Sequence, residues 1–196
     1  MSFKVKTGIS NRHVHLTEEV YYKLFDEELV NIRDLKQTGE FVSDKTVTIA
    51  GQKGTIEDVR ILGPLRKYNQ VEISHTDAFK LGVNPPVRRS GVLDNSETVT
   101  IIKNEKRIEV NNCCILAQAH IHMNFEDLKT YNVQDDEVVD VIIDKERKGI
   151  IKAHIKATEK GVLEFHIDRD EASAFLLNNE DELEVIKWNG LLKISK

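Results

Sequence analysis

The chain has 196 residues, with 28 Lys and Arg against 33 Asp and Glu, a net charge of −5, and 40% hydrophobic residues. That length can bury one sizeable core or two small ones, and the composition is that of an ordinary globular protein. The acidic balance and the lack of a long basic run argue against nucleic acid as a partner, and no apolar run reaches membrane-spanning length.

Taken from the start, Met1 to Lys6 lacks the apolar centre of a signal peptide, and strand-like sequence begins by about Phe3. A cytoplasmic location is therefore expected. Next comes Asn11-Arg12-His13-Val14-His15-Leu16. Residues i and i+2 of a strand point to one face, so His13 and His15 aim two imidazoles at one point. Two neutral imidazoles side by side make a natural pair of metal ligands. Thr17 caps a predicted helix with Glu18 and Glu19 in its first turn. Thr46–Ile49 and Ile56–Leu62 alternate about a Gly51–Gly54 turn and predict a hairpin. A short strand at Val71-Glu72-Ile73 then runs into a helix start at Asp77-Ala78. Turn signals at Asn84-Pro85-Pro86 and Leu93–Ser96 suggest a junction.

Beyond that junction the pattern returns. A hairpin is predicted about Lys103-Asn104-Glu105, followed by the adjacent Cys113 and Cys114. Neighbours in a strand face opposite ways, so this pair offers no disulfide, and packed strand residues are expected. His120-Ile121-His122-Met123 repeats the His-x-His segment; the two copies hold four of the seven histidines. Asn124 is again a cap followed by acids. Glu137–Ile143 and Ile151–Ile155 again predict a hairpin, and Phe165-His166-Ile167-Asp168 lines up with Val71–Ser74. That alignment sets Glu72 opposite His166. The expected architecture is mainly β, with two tandem pseudo-repeated units, each a β-barrel or a sandwich, bearing short helical caps. The first spans residues 3–90 and holds His13, His15 and Glu72; the second spans 91–190 and holds His120, His122 and His166. Arg12, Arg60, Arg66, Arg88 and Arg89 lie beside the first His pair or near turns, where guanidinium forks suit phosphate.

Six segments in order carry a resemblance: Ser10–Leu16, Val59–Arg66, Gln70–Ser74, Pro86–Gly91, His120–Met123 and Phe165–Asp168. Together they resemble the successive motifs of the PduL-type phosphotransacylases, also called phosphate propanoyltransferases. The resemblance covers residues 5 to 175 or so. It implies two β-barrels, a two-zinc site, and the reversible reaction of acyl-CoA with phosphate to give acyl phosphate and coenzyme A. By position it implies that His13, His15 and Glu72 hold one zinc, that His120, His122 and His166 hold the other, and that Arg66 is the catalytic phosphate arginine. Arg12, Arg60, Arg88 and Arg89 are further candidates for phosphate or coenzyme A. The family usually has Arg directly before the second His pair, where this chain has Ala119, so the contact expected of that arginine is lacking. Microcompartment members of the family resemble one another in an N-terminal amphipathic extension. None is evident here, so a free cytosolic enzyme acting on small molecules is expected, with a homo-oligomer compatible. Two rivals remain at this point: a metal-dependent hydrolase of a thioester or ester, and a zinc-stabilised scaffold without activity, for which Ala119 is the hint.

Overall fold

The computed structural model describes residues 2–187. In chain order the elements are β1 (Ser2–Ile9), β2 (His13–His15), α1 (Glu18–Leu24), β3 (Asn31–Asp34), β4 (Phe41–Ala50), β5 (Thr55–Gly63) and β6 (Gln70–Glu72). Then follow α2 (His75–Leu81), β7 (Val87–Arg88), β8 (Glu97–Lys103), β9 (Lys106–Ala117), β10 (His120–Met123) and α3 (Phe125–Tyr131). The last are β11 (Val138–Ile143), β12 (Gly149–Ala157), β13 (Glu164–Ile167), α4 (Arg169–Phe175) and β14 (Glu182–Ile186). Strand dominates, as the alternating sequence predicts. All three predicted hairpins form: β4 with β5, β8 with β9, and β11 with β12.

The strands close into two six-stranded barrels. One ring runs β1, β13, β10, β12, β11, β14 and returns to β1. The other runs β4, β5, β2, β6, β9, β8 and returns to β4. Short β3 and β7 extend the second ring at β4 and β9. Strand directions match between the rings: β2 is parallel to β5 and antiparallel to β6, as β10 is parallel to β12 and antiparallel to β13. Likewise β9 is parallel to β6, and β1 to β13.

The compact units are Asn11–Gln118 on the one hand, and Met1–Ser10 with Ala119–Lys196 on the other. The expected halves 3–90 and 91–190 are corrected accordingly; positions 188–190 lie outside the described residues. The turn signals at residues 84–86 and 93–96 fall inside one unit. The reason is a strand exchange. β9 precedes the second His-x-His segment in sequence but closes the barrel that contains the first, between β6 and β8. β1 precedes the first segment but closes the barrel that contains the second, between β13 and β14. Without its borrowed strand each barrel would expose two open edges.

Each barrel has its own core. Val14, Ile61, Val71, Cys113 and Cys114 are buried in one, and Ile121, Ile155 and Phe165 in the other. Burial pushes the Cys113 thiol up to about 12 and raises that of Cys114 as well. Both are free thiols in a packed interior, as the sequence suggested. Two helices begin at the predicted caps, Thr17 and Asn124, and the other two at Ser74 and Asp168; each of the four accepts a backbone N–H of the first turn. In the last three, Asp77, Asp127 and Glu171 return the bond to the cap's own N–H. No helix among the described residues is long and apolar enough to cross a membrane.

The exchange predicts how a cut chain behaves. Fragments 1–104 and 105–196 each lack one strand of any closed barrel. Neither alone should unfold cooperatively, whereas the mixture should recover a single thermal transition by circular dichroism. A cooperative transition in isolated 1–104 would contradict the shared-strand topology.

Candidate metal centres

One residue register builds each centre. In the first barrel His13 lies opposite Glu72 on β6 and alongside Arg60 on β5. In the second, His120 lies opposite His166 on β13 and alongside His154 on β12. The middle residues, Val14 and Ile121, fill the barrel interiors and are fully buried. Strand alternation then turns the histidines to the opposite face, where all four are nonetheless buried.

In the first trio, the His13 ring donates Nδ1–H to the Asn11 carbonyl at 2.8 Å, which leaves Nε2 toward Glu72 Oε2 at 3.5 Å. His15 makes a backbone hydrogen bond to Leu62, while its Nδ1 is buried with no hydrogen-bond partner. Burial, then the neighbouring His13 and Arg66, hold the His15 pKa well below the ordinary histidine range. Glu72 is braced from behind: Gln70 Nε2 donates to its Oε1 at 2.5 Å and to Ser90 Oγ at 2.9 Å. Gln70 Oε1 in turn accepts the Gly91 N–H at 2.7 Å. Gly91 has φ +94°, a backbone conformation that side chains disfavour, so the turn that reaches Gln70 needs glycine there.

In the second trio, His120 Nε2 and His122 Nε2 are 3.0 Å apart, and His122 Nε2 is 3.2 Å from His166 Nδ1. Zinc–nitrogen bonds of about 2.0–2.1 Å in a tetrahedral shell separate neighbouring nitrogens by roughly 3.3 Å, so the spacing fits that ion. His122 is pushed far below the ordinary histidine range by burial, then by His120, His166 and Lys156. The other nitrogen of His166, Nε2, meets Glu164 Oε2 at 2.5 Å. Gly8, on β1, pairs with His166. A Cβ there would come within 2.7 Å of both the Glu164 carboxyl carbon and the His166 ring. Each trio's ligand atoms lie within 4.8 Å of one another. Buried histidine nitrogens, joined by a carboxylate in the first trio, are a donor set suited to zinc.

The arginines part company. Arg66 places its charge near enough to His15 to depress it, and its guanidinium donates to Glu40 at 2.7 Å and Tyr68 Oη at 3.1 Å. Arg60 sits beside His13 in register and donates to the Ser43 carbonyl at 3.2 Å. Arg12 turns elsewhere, onto the Asp77 carboxylate, with Nε at 3.0 and 2.9 Å from its two oxygens. Arg88 folds onto the Val87 carbonyl, and Arg89 follows it at the start of the turn that carries Ser90 and Gly91. Sequence reasoning missed Gly8, Glu40, Tyr68, Gln70 and Glu164. For Gln70 and Glu164 a signal existed: each stands two residues before a ligand, on the same strand face.

A family model described as phosphate propanoyltransferase matches residues 6–178. Similar proteins include the phosphate propanoyltransferase of Thermotoga maritima, 44% identical over 92% of this chain and 88% of the relative. That of Rhodopseudomonas palustris is 39% identical over 94% and 83%. That of Lachnoclostridium phytofermentans is 43% identical over 88% and 82%. The chain belongs to the phosphate propanoyltransferase family. It is therefore an acyltransferase enzyme with phosphotransacylase activity, and the residues gathered above are this family member's own.

Register equivalence also locates the effect of Ala119. Arg12 and Ala119 each precede a His pair, and Asp77 and Glu171 each close a capping box. The first barrel pairs arginine with acid; the second has Ala119 and an acid. Burial, with Asp168 and Asp170 adding to it, pushes Glu171 up to about 7 against an ordinary 4.5. The folded state thus holds this proton more tightly than the unfolded chain. Stability should fall as pH rises from about 4.5 to about 7 and level off above. Glu171→Gln should flatten that slope and gain about 1 kcal/mol at pH 8, or roughly 2–4 °C in Tm. Ala119→Arg should flatten it too, by supplying the missing cation, with zinc content unchanged. Melting curves from pH 4 to 8 check both; an undiminished slope in Glu171→Gln would contradict the assignment.

Proposed function

We propose that this enzyme is a zinc-dependent phosphotransacylase that interconverts acyl-CoA and phosphate with acyl phosphate and coenzyme A, the acyl group being short, such as propanoyl or acetyl. The observation that carries the proposal is the pair of trios. Each offers three protein ligands, the number typical of a catalytic zinc, whereas structural zinc sites are usually closed by four. Zinc held by His13, His15 and Glu72, and by His120, His122 and His166, would supply Lewis-acid polarisation of a phosphate or carbonyl oxygen.

The chain's own groups do the rest. Arg66, steadied by Glu40 and Tyr68, presents a guanidinium beside His15 that can hold a phosphate oxyanion. Arg60 adds positive charge on the strand next to His13. Arg12 we assign to α2, because its guanidinium is committed to Asp77. A phosphate oxygen forms the new bond to the acyl carbon. The carbon–sulfur bond breaks with its electron pair on sulfur, and the phosphate proton ends on the thiol. Buried Cys113 and Cys114, whose thiols are pushed up in pKa, are poor nucleophiles, so transfer is direct and both substrates bind together.

Release of coenzyme A from acetyl-, propanoyl- and butanoyl-CoA should require phosphate and should stop on chelation. Release that ignores phosphate would instead mark a hydrolase. Arg66→Ala should raise the KM for phosphate roughly tenfold to a hundredfold, the cost of a charge-assisted bond of about 1.5–3 kcal/mol. The KM for acyl-CoA should change little. His120→Ala and His166→Ala should each lower bound zinc and abolish turnover, and a variant with full zinc content would drop out of the ligand set.

A further inference from the structure

The two centres place their carboxylates differently, and the difference is systematic. His15 pairs with Gln70 and His13 with Glu72; His122 pairs with Glu164 and His120 with His166. The ligand position is thus Glu72 in one barrel and His166 in the other. The position two residues ahead is Gln70 in one and Glu164 in the other. In both, the residue ahead grips the ligand from behind at 2.5 Å, through Gln70 Nε2 on Glu72 Oε1 and Glu164 Oε2 on His166 Nε2. Amide and carboxylate have traded places with carboxylate and imidazole.

We infer that each centre is built around one carboxylate, supplied directly to the ion by Glu72 in one barrel and from behind the ligand by Glu164 in the other. The inference rests on the trios being zinc sites. Two imidazoles and a carboxylate leave a divalent ion with a net charge of +1. Three imidazoles leave +2, and Glu164 restores +1. Both residues behind the ligands are buried, where an uncompensated charge is costly. Glu164 also sets the His166 tautomer. As a carboxylate it accepts Nε2–H, so the lone pair falls on Nδ1, the atom that faces His122. Gly8 fixes the geometry by leaving room for nothing larger beside either side chain. Glu164 is a positioning residue; it need not touch substrate.

The test is an exchange in full-length protein, stripped and reloaded with zinc under chelator competition. Glu164→Gln keeps the size and the acceptor and removes the charge. Zinc affinity at the second centre should fall roughly 10–100-fold, with the first centre unchanged. Glu164→Gln combined with His166→Glu copies the Gln-x-Glu of the first barrel and should regain most of that loss. Wild-type affinity at both centres in Glu164→Gln, or a double variant no tighter than the single one, would overturn the inference while leaving the zinc reading intact. Wild-type protein that takes up no zinc would overturn the zinc reading itself. A second measurement needs no metal and no double variant. Imidazole nitrogen shifts of metal-free wild-type protein should show His166 protonated at Nε2 alone, and a proton at Nδ1 would equally overturn it.

Discussion

Everything chemical in this chain depends on two antiparallel registers, His13 against Glu72 and His120 against His166. Strand side chains alternate, so a slip of one residue would move every ligand to the barrel interior and every core residue outward. The apolar centre of each His-x-His prevents that slip. Val14 is locked between Ile61 and Val71, and Ile121 between Ile155 and Phe165, all fully buried. The candidate metal site and the core are thus two faces of one pairing. A substitution that loosens the interior at these positions displaces the ligands without touching them.

The same registers also settle protonation. At His15 and His122 burial and the neighbouring rings act in the same direction, and a proton on either is costly. Hydrogen bonds on the far side then choose which nitrogen keeps its proton: the Asn11 carbonyl for His13 and Glu164 for His166. Fold, burial and tautomer together present lone pairs at one point before any ion arrives. That is pre-organisation built from backbone pairing, with no long helix and no elaborate loop involved.

The trios were legible from the sequence because their logic is local. Two histidines at i and i+2 share a face whatever the rest of the chain does, and the second copy confirmed the period. Glu72 and His166 could be added because their strands and the helix starts that follow aligned. The strand exchange was not legible. Nothing in the composition of β1 or β9 says which barrel it closes, since either barrel would accept an alternating strand of that kind. The boundary near residue 90 was therefore placed by turn signals that proved internal to one unit. The arginines show a related limit. By residue type alone Arg12 and Arg66 look equally suited to phosphate; the family resemblance favours Arg66, and side-chain geometry commits Arg12 to Asp77 and Arg66 to Glu40 beside His15.

That geometry gives Ala119 a meaning narrower than lost activity. An arginine just before a His pair sits on the face opposite the first ligand histidine, and in the first barrel it spends its charge on the acid that closes the α2 capping box. In the second barrel the position equivalent to Arg12 is alanine, and the pKa of the equivalent acid, Glu171, is raised by burial, with Asp168 and Asp170 adding to it. No ligand nitrogen changes neighbours as a result: His120, His122 and His166 still converge, with Glu164 behind them. The departure from the family pattern leaves the second centre's donor set whole. A catalytically silenced scaffold would call for damage to that donor set, and the trio shows none.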